Sequence, residues 1–201
     1  MDTVSIAKAW NTCLELINDR GYIPDPAYSK LSNAELEYLL NNNKLDIVSQ
    51  NNDTKKIICI KFITTEKVKS AYVKELISEI KKNIPSDYYC EIIFVLKNKP
   101  NSTIKKLEKD RELGDLQVRH IKEMLFNITK HSLVPPHIKL SDNEIKLVME
   151  KYSIHSKTQF PLILKDDPIS RYYNFKSGDI IMVPSSLGSH NSNYINYRCV
   201  R

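Results

Sequence analysis

Glycine is scarce, with Gly21, Gly114, Gly178 and Gly188 the only ones in 201 residues. Phosphate-cradling loops of the Walker or dinucleotide-binding type need several glycines at fixed spacings, and these four do not supply them. Cysteine is equally thin. Cys13, Cys59, Cys90 and Cys199 are scattered, form no Cys-x-x-Cys pair and have no histidine at ligand spacing. That pattern gives no zinc site, and in a reducing compartment the thiols read as buried structural groups. Long apolar runs are missing, and the opening MDTVSIAKAW lacks the charged-then-apolar layout of a signal peptide. Serine, histidine and aspartate occur, but no spacing sets them up as a hydrolytic triad. The expectation is a protein of the cytosol or nucleus with no metal, no cofactor and no membrane partner.

What is present is ordinary for a globular chain: 27% of residues are charged and 41% hydrophobic. The length suits one large domain or two small ones. A formal net charge of +6 is mild for a protein of nucleic acid. Up to residue 129 there are 20 basic and 18 acidic residues, and beyond it 10 and 6. Neither part is strongly basic, so any nucleic-acid surface must be local. The local excess is LKNKPNSTIKKL at 96–107, where Lys97, Lys99, Lys105 and Lys106 surround Pro100 with no acid between them. Ser102, at the expected start of a helix, would add backbone donors to the ammonium groups facing a phosphate. A solvated lysine loop is the competing interpretation.

Helical spacing of Val4, Ala7, Trp10, Leu14 and Ile17 predicts an amphipathic helix over 3–20, stopped by Gly21. Ser32 to Glu35 has the form of a capping box ahead of Leu36, Leu39 and Leu40. Strands are expected at 45–49 and 56–63, joined by the polar QNNDT, then a helix over 66–82 through Val68, Tyr72, Leu76 and Ile80. The run YYCEIIFVL predicts a strand at 89–96 covered on both faces, followed by a short helix and a strand near 116–120. Helices alternating with apolar strands indicate an α/β layer domain over 1–129. The segment NITKHSLVPP at 127–136 marks a boundary, because consecutive prolines exclude helix. A smaller α+β domain is expected over 130–201. It has a second capping box at Ser141 to Glu144, a helical face of Ile145, Val148, Met149 and Tyr152, and the alternating final strand YINYRCV.

Within that second domain, DDPISRYYNFKSGDIIMV at 166–183 is densely specified. Asp167 and Pro168 read as N-cap and first residue of a short helix, and Asn174 as its left-handed end. Ser177, Gly178 and Asp179 then turn the chain into a strand at 180–183. This corner assigns no partner to Arg171 and Tyr172, residue types that often anchor protein interfaces. A role in the domain's own core is the equal alternative.

Three stretches together resemble a known family: HSLVPPHIKLSDNEI, FPLILKDDPISRYYNFKSGDIIMVPSS and NYINYRCV. They are similar to the small shared fifth subunit of eukaryotic RNA polymerases I, II and III, which has a shorter archaeal counterpart. The family pattern is met at His131, Leu133, Val134, Pro135, His137, Pro161, Ile163, Asp167, Pro168, Arg171, Tyr172, Lys176, Gly178, Tyr197, Arg198 and Val200. It departs at Asn174, where the family usually has glycine; asparagine keeps the left-handed option. More weakly, DRGY at 19–22 and EIIFVLKNKPNSTIKKL at 91–107 resemble the N-terminal domain found in the eukaryotic form.

The resemblance implies a jaw domain with a restriction-endonuclease-like sheet over 1–129 and a C-terminal assembly domain over 130–201. It implies a non-catalytic subunit, monomeric within its complex. The assembly domain would dock on the largest polymerase subunit, with His131, Val134, Pro135, His137, Asp167, Pro168, Arg171, Tyr172, Gly178, Tyr197 and Arg198 shaping that domain. The jaw would lie beside downstream double-stranded DNA, contacting it weakly and without sequence preference through Lys97, Lys99, Pro100, Ser102, Lys105 and Lys106. The family's loop there reads T-P-S-A; this chain's proline falls one place early, so the position carries over better than the contact. A cellular source implies the nucleus; a large DNA virus, which the Lys-, Asn- and Ile-rich composition also fits, implies host cytoplasm and virion.

Two other readings compete. Nucleases of restriction-endonuclease-like fold hold Mg²⁺ between an Asp on one strand and an acid of a (D/E)-x-K motif on the next. Here Asp46 precedes Cys59-Ile60-Lys61, and the middle acid is a thiol, a poor ligand for a hard cation. A free-standing DNA-binding factor would need a stronger basic face than this chain has.

Overall fold

The computed structural model describes residues 3–185 and 194–201; Ser186 and Gly188 lie outside the described residues. The chain divides into two compact units between Phe126 and Asn127, where NITKHSLVPP begins.

The first unit is built on a four-stranded sheet in the order β1-β2-β3-β4. β1 (Asp46–Asn51) and β2 (Lys56–Ile63) are an antiparallel pair, while β3 (Tyr89–Leu96) and β4 (Asp115–His120) each add in parallel. Helix α3 (Ser70–Lys82) returns the chain from β2 to β3, and the short α4 (Ser102–Leu107) precedes β4. Side chains alternate across a strand, so consecutive buried residues must meet different layers. Ile92, Phe94 and Leu96 of β3 pack with Val73, Leu76 and Ile77 of α3 and Ile104 and Leu107 of α4. The opposite face lies under α1 (Thr3–Asp19), whose Trp10 ring sits 6.1 Å from that of Phe62.

α1 forms where its periodicity predicts, but its buried face is rotated from the expected one. Ile6, Ala9, Trp10, Cys13, Leu16 and Ile17 are buried, whereas Val4 is 57% exposed. Two apolar stripes overlap along this helix, and the sheet selects the one carrying the larger buried volume around Trp10. The helix ends in a Schellman motif: Tyr22 N–H donates to Ile17 O (3.0 Å) and Gly21 N–H to Asn18 O (2.9 Å). Gly21 supplies the required φ of 80°. α2 (Asn33–Asn41) carries the expected capping box, with Ser32 and Glu35 bonding each other's backbone, and buries Leu36 and Leu40. Glu35 is held below the ordinary carboxylate value by its bonds to Ser32. α3 begins four residues later than the spacing predicts. Lys69 stays extended (ψ 148°) with no side-chain cap, and the buried stripe is Val73, Leu76 and Ile77, leaving Tyr72 exposed. Along the outer edge, Glu108 Oε1 accepts the N–H of Val118 in β4 at 2.5 Å.

The second unit has a sheet in the order β5-β7-β8-β6. Its strands are β5 (Ile138–Lys139), β6 (Leu162–Ile163), β7 (Ile180–Ser185) and β8 (Tyr194–Val200). β7 is antiparallel to β5 and β8, and β6 is parallel to β8. Its two edge strands are thus only two residues long. Helix α5 (Asp142–Lys151), started by the Ser141–Glu144 capping box, covers one face with Ile145 against Leu140, Phe160, Ile180 and Cys199. The other face gathers Ile163, Phe175, Ile181, Val183 and Val200 beside Tyr173 of α6 (Pro168–Tyr173).

The corner at 167–180 forms as its residue types dictate. Asp167 Oδ1 accepts Ile169 N–H at 2.9 Å, capping α6 ahead of Pro168. Asn174 ends the helix at φ 56° and ψ 41°, and Phe175 N–H closes a second Schellman motif on Ser170 O at 2.9 Å. Gly178 turns at φ 89° while Asp179 Oδ2 accepts Lys176 N–H at 2.8 Å. Left-handed backbone costs a β-branched residue most, so Asn174→Val should lower stability by about 1–2 kcal/mol relative to Asn174→Gly. Thermal or urea unfolding of the two variants measures that difference.

Candidate functional site

β2 and β3 end side by side. Ile63 is the register partner of Leu96, and Lys97 N–H donates to Ile63 O at 3.1 Å. The segments that leave these ends, 64–69 and 97–101, therefore emerge together from one end of the sheet. The second carries the lysine-rich motif. Pro100 is buried and anchors the loop, Lys97 is half-buried, and Lys99, Ser102, Lys105 and Lys106 are exposed. None of the four lysines is ion-paired among the described residues.

Ser102 is the first residue of α4, as expected, and one backbone donor of this helix start is taken by a side-chain cap. The cap is Asn101, whose Oδ1 already accepts Ile104 N–H at 2.8 Å. Periodicity also could not show that Lys67 and Lys69 of the neighbouring loop stand beside the motif, since that follows only from β2 pairing β3 in parallel.

The Asp46 and Cys59-Ile60-Lys61 pattern falls on adjacent strands. Asp46 is directly opposite Lys61, and Lys61 Nζ lies 2.7 Å from Asp46 Oδ2. Cys59 occupies the position of the absent acid. It is buried, and desolvation, reinforced by the Asp46 charge, pushes its thiol up to about 12. It is a neutral thiol near pH 7 and offers a hard cation nothing. Burial pushes Cys13 likewise to about 12, and the half-buried Cys90 to about 11.

Sequence reasoning missed a polar network under α1. Arg20, whose side chain is only 3% exposed, places Nη1 2.7 Å from Glu91 Oε2 on β3. Its Nη2 donates to Gln117 Oε1 at 3.1 Å on β4, which also accepts from Arg119 Nη2 at 3.2 Å. The DRGY tetrapeptide thus sits where it does because its arginine bridges the end of α1 to two strands. The partners lie far apart in the chain, beyond any local pattern.

In the second unit the expected assembly residues fall into separate groups. His131, exposed, opens a tight turn in which its Nδ1 accepts Leu133 N–H at 3.2 Å and its carbonyl accepts Val134 N–H at 2.9 Å. Val134, Pro135 and His137 are half-buried, and His137 Nδ1 lies 2.8 Å from Pro135 O. Leu133 is 77% exposed. The turn Ile128–Lys130 just before them packs against α6, which carries Pro168, Arg171 and Tyr172. Tyr172 is buried and meets Tyr173 edge-on at 5.2 Å, while Arg171 is half-buried. Asp167 and Gly178 shape the corner. Tyr197 stands apart, packed on the α5 side against Tyr152 (5.9 Å) and Phe160 (6.4 Å). Its neighbour Arg198 points to the other side and is exposed, with Nη1 3.5 Å from Leu162 O.

Each unit thus has its own core, the first carrying the lysine-bearing loop and the second the exposed Leu133 and Arg198. Residues 126–200 match the family described as RNA polymerase Rpb5, C-terminal domain, over nearly the whole second unit. Across both units, the chain is 28% identical to DNA-directed RNA polymerase V subunit 5A of Arabidopsis thaliana, over 93% of this chain and 84% of that one. It is 29% identical to 454R, a candidate DNA-directed RNA polymerase subunit of Invertebrate iridescent virus 6, over 76% and 82%. It is 22% identical to RPABC1, a subunit of DNA-directed RNA polymerases I, II and III in Caenorhabditis elegans, over 100% and 97%. Residues 126–200 thus match the Rpb5 C-terminal domain, and relatives named as RNA polymerase subunits align with the chain across both units.

The Arg20–Glu91 pair gives this region a direct test. Glu91→Gln keeps the shape but removes the charge facing a buried guanidinium, and should lower stability by about 1.5–3 kcal/mol. The urea midpoint of the purified chain reads it.

Proposed function

We propose that the chain is a non-catalytic subunit of a multisubunit DNA-directed RNA polymerase, docked on the largest subunit through residues 127–201. The observation that carries the reading is that the Rpb5 C-terminal domain match coincides with a unit that has its own core, while relatives named as polymerase subunits align across both units. On this reading the turn at His131–His137, helix α6 and exposed Arg198 form the docking side. Buried Tyr172 holds α6 in place, and Arg171 and Leu133 reach the partner. Tyr197, on the α5 side, supports the fold of the domain.

The first unit is the jaw. Its lysine loop lies against downstream duplex DNA, where Lys97, Lys99, Lys105 and Lys106 give weak, salt-sensitive and sequence-independent phosphate contact. Such contact gains from the effective concentration that docking supplies, so the isolated chain binds DNA poorly. The subunit is a single copy in the complex and needs no cofactor. In a cellular source it works in the nucleus; in a viral one, in host cytoplasm and virion.

A tagged copy should co-purify with the other polymerase subunits, identified by mass spectrometry. In that setting Arg171→Ala should lose recovery of the largest subunit while its melting temperature stays close to the parent's. Loss of melting temperature alone assigns Arg171 to the core instead. Neutralising the four lysines to glutamine should leave recovery intact and reduce crosslinking to downstream DNA in the assembled polymerase. Unchanged crosslinking removes the loop from the DNA path.

A further inference from the structure

The paired loops at the end of β2 and β3 enclose a cleft of about 660 Å³, wholly within the first unit. Its floor is aliphatic: Leu96, Pro100 and Ile104 are buried, and Val68 is half-buried above them. Its rim is cationic. Lys67, Lys69 and Lys99 line it, all exposed and none ion-paired among the described residues, against Glu66 as the one acid of the lining. Contact with a duplex does not account for this combination. Phosphates would meet the rim lysines and leave the floor empty. No aromatic ring lines the cleft, so an unpaired base finds no stacking platform. Val68 is the part of this floor that water reaches, and an apolar group laid over it would remove that surface from water.

We propose that the cleft docks an extended segment of a partner protein, in which one or two apolar side chains are flanked by aspartate or glutamate. The apolar side chains enter over Val68, Leu96 and Ile104, and the flanking carboxylates pair with Lys67, Lys69 and Lys99. Charge complementarity selects acidic flanks over basic or neutral ones and speeds encounter at low salt. The proposal stands apart from polymerase assembly, since docking of the second unit does not use this cleft. It shares only Lys99 with the lysines assigned to DNA.

The test uses the full-length chain and a short fluorescein-labelled peptide with leucine and phenylalanine set among aspartates. The control peptide has serine at the apolar positions. Anisotropy should show binding of the first peptide and at least about tenfold weaker binding of the control, a difference of about 1.4 kcal/mol. The Lys67→Glu/Lys69→Glu variant, altered only at exposed positions, should lose binding to a similar degree, and so should Val68→Ser. Methyl resonances of Val68, Leu96 and Ile104 should shift with the peptide. Equal binding of both peptides, or no effect of the lysine changes, overturns the proposal. Methyl shifts caused by a DNA duplex and not by the peptide also overturn it, assigning the cleft to nucleic acid. None of these outcomes alters co-purification with polymerase, so the two proposals fail independently.

Discussion

Burial of β3 on both faces is the constraint on which the first unit depends. Five consecutive side chains, Ile92 to Leu96, are shielded from water, alternately by α1 and by the α3–α4 layer. A strand so enclosed must be central and apolar throughout, and the parallel pairing on either side follows from the helices that return the chain. Once β2 and β3 lie parallel and in register, their exits are forced together, and with them Lys67, Lys69, Lys97 and Lys99. The surface chemistry of the unit is a by-product of how its core strand is covered.

The second unit reaches its shape through local chain geometry more than volume. Its sheet has just two long strands, and the link from β6 to β7 is fixed by residues suited to their backbone positions: Asp167 as cap, Pro168 as first helical residue, Asn174 and Gly178 at positive φ. Each of these choices agrees with the others, which is the condition for a short segment to have one conformation. The packing that follows puts Phe175 and Tyr173 face to face at 5.3 Å over one side of the sheet, where they hold α6 against Ile181 and Val200.

Local signals in the sequence were legible and distant ones were not. Both capping boxes, the Gly21 stop, the Asp167–Pro168 start and the final strand needed only neighbouring residues. The buried stripe of α1 was ambiguous, since Val4 and Ile6 each begin a run with helical spacing. The early start assigned to α3 came from Val68, which keeps the helical period but sits before an uncapped turn. Asn101, Ser102 and Thr103 are all cap-formers in a row, and only the hydrogen bond to Ile104 selects the first. The Arg20–Glu91–Gln117 contacts join three elements whose adjacency no periodicity encodes. For the site, the lysine motif was visible as a charge run, whereas its partner loop and the aliphatic floor between them required the strand order.

The carboxylate of Glu108 on the outer strand has a consequence for the chain while it is alone. Amide groups facing outward from a terminal strand invite a like strand from another copy to zip on. With a side-chain oxygen seated on the Val118 amide, and with the second sheet closed off by two-residue borders, self-pairing has little purchase. A like strand would have to displace the Glu108 carboxylate before it could pair along this border.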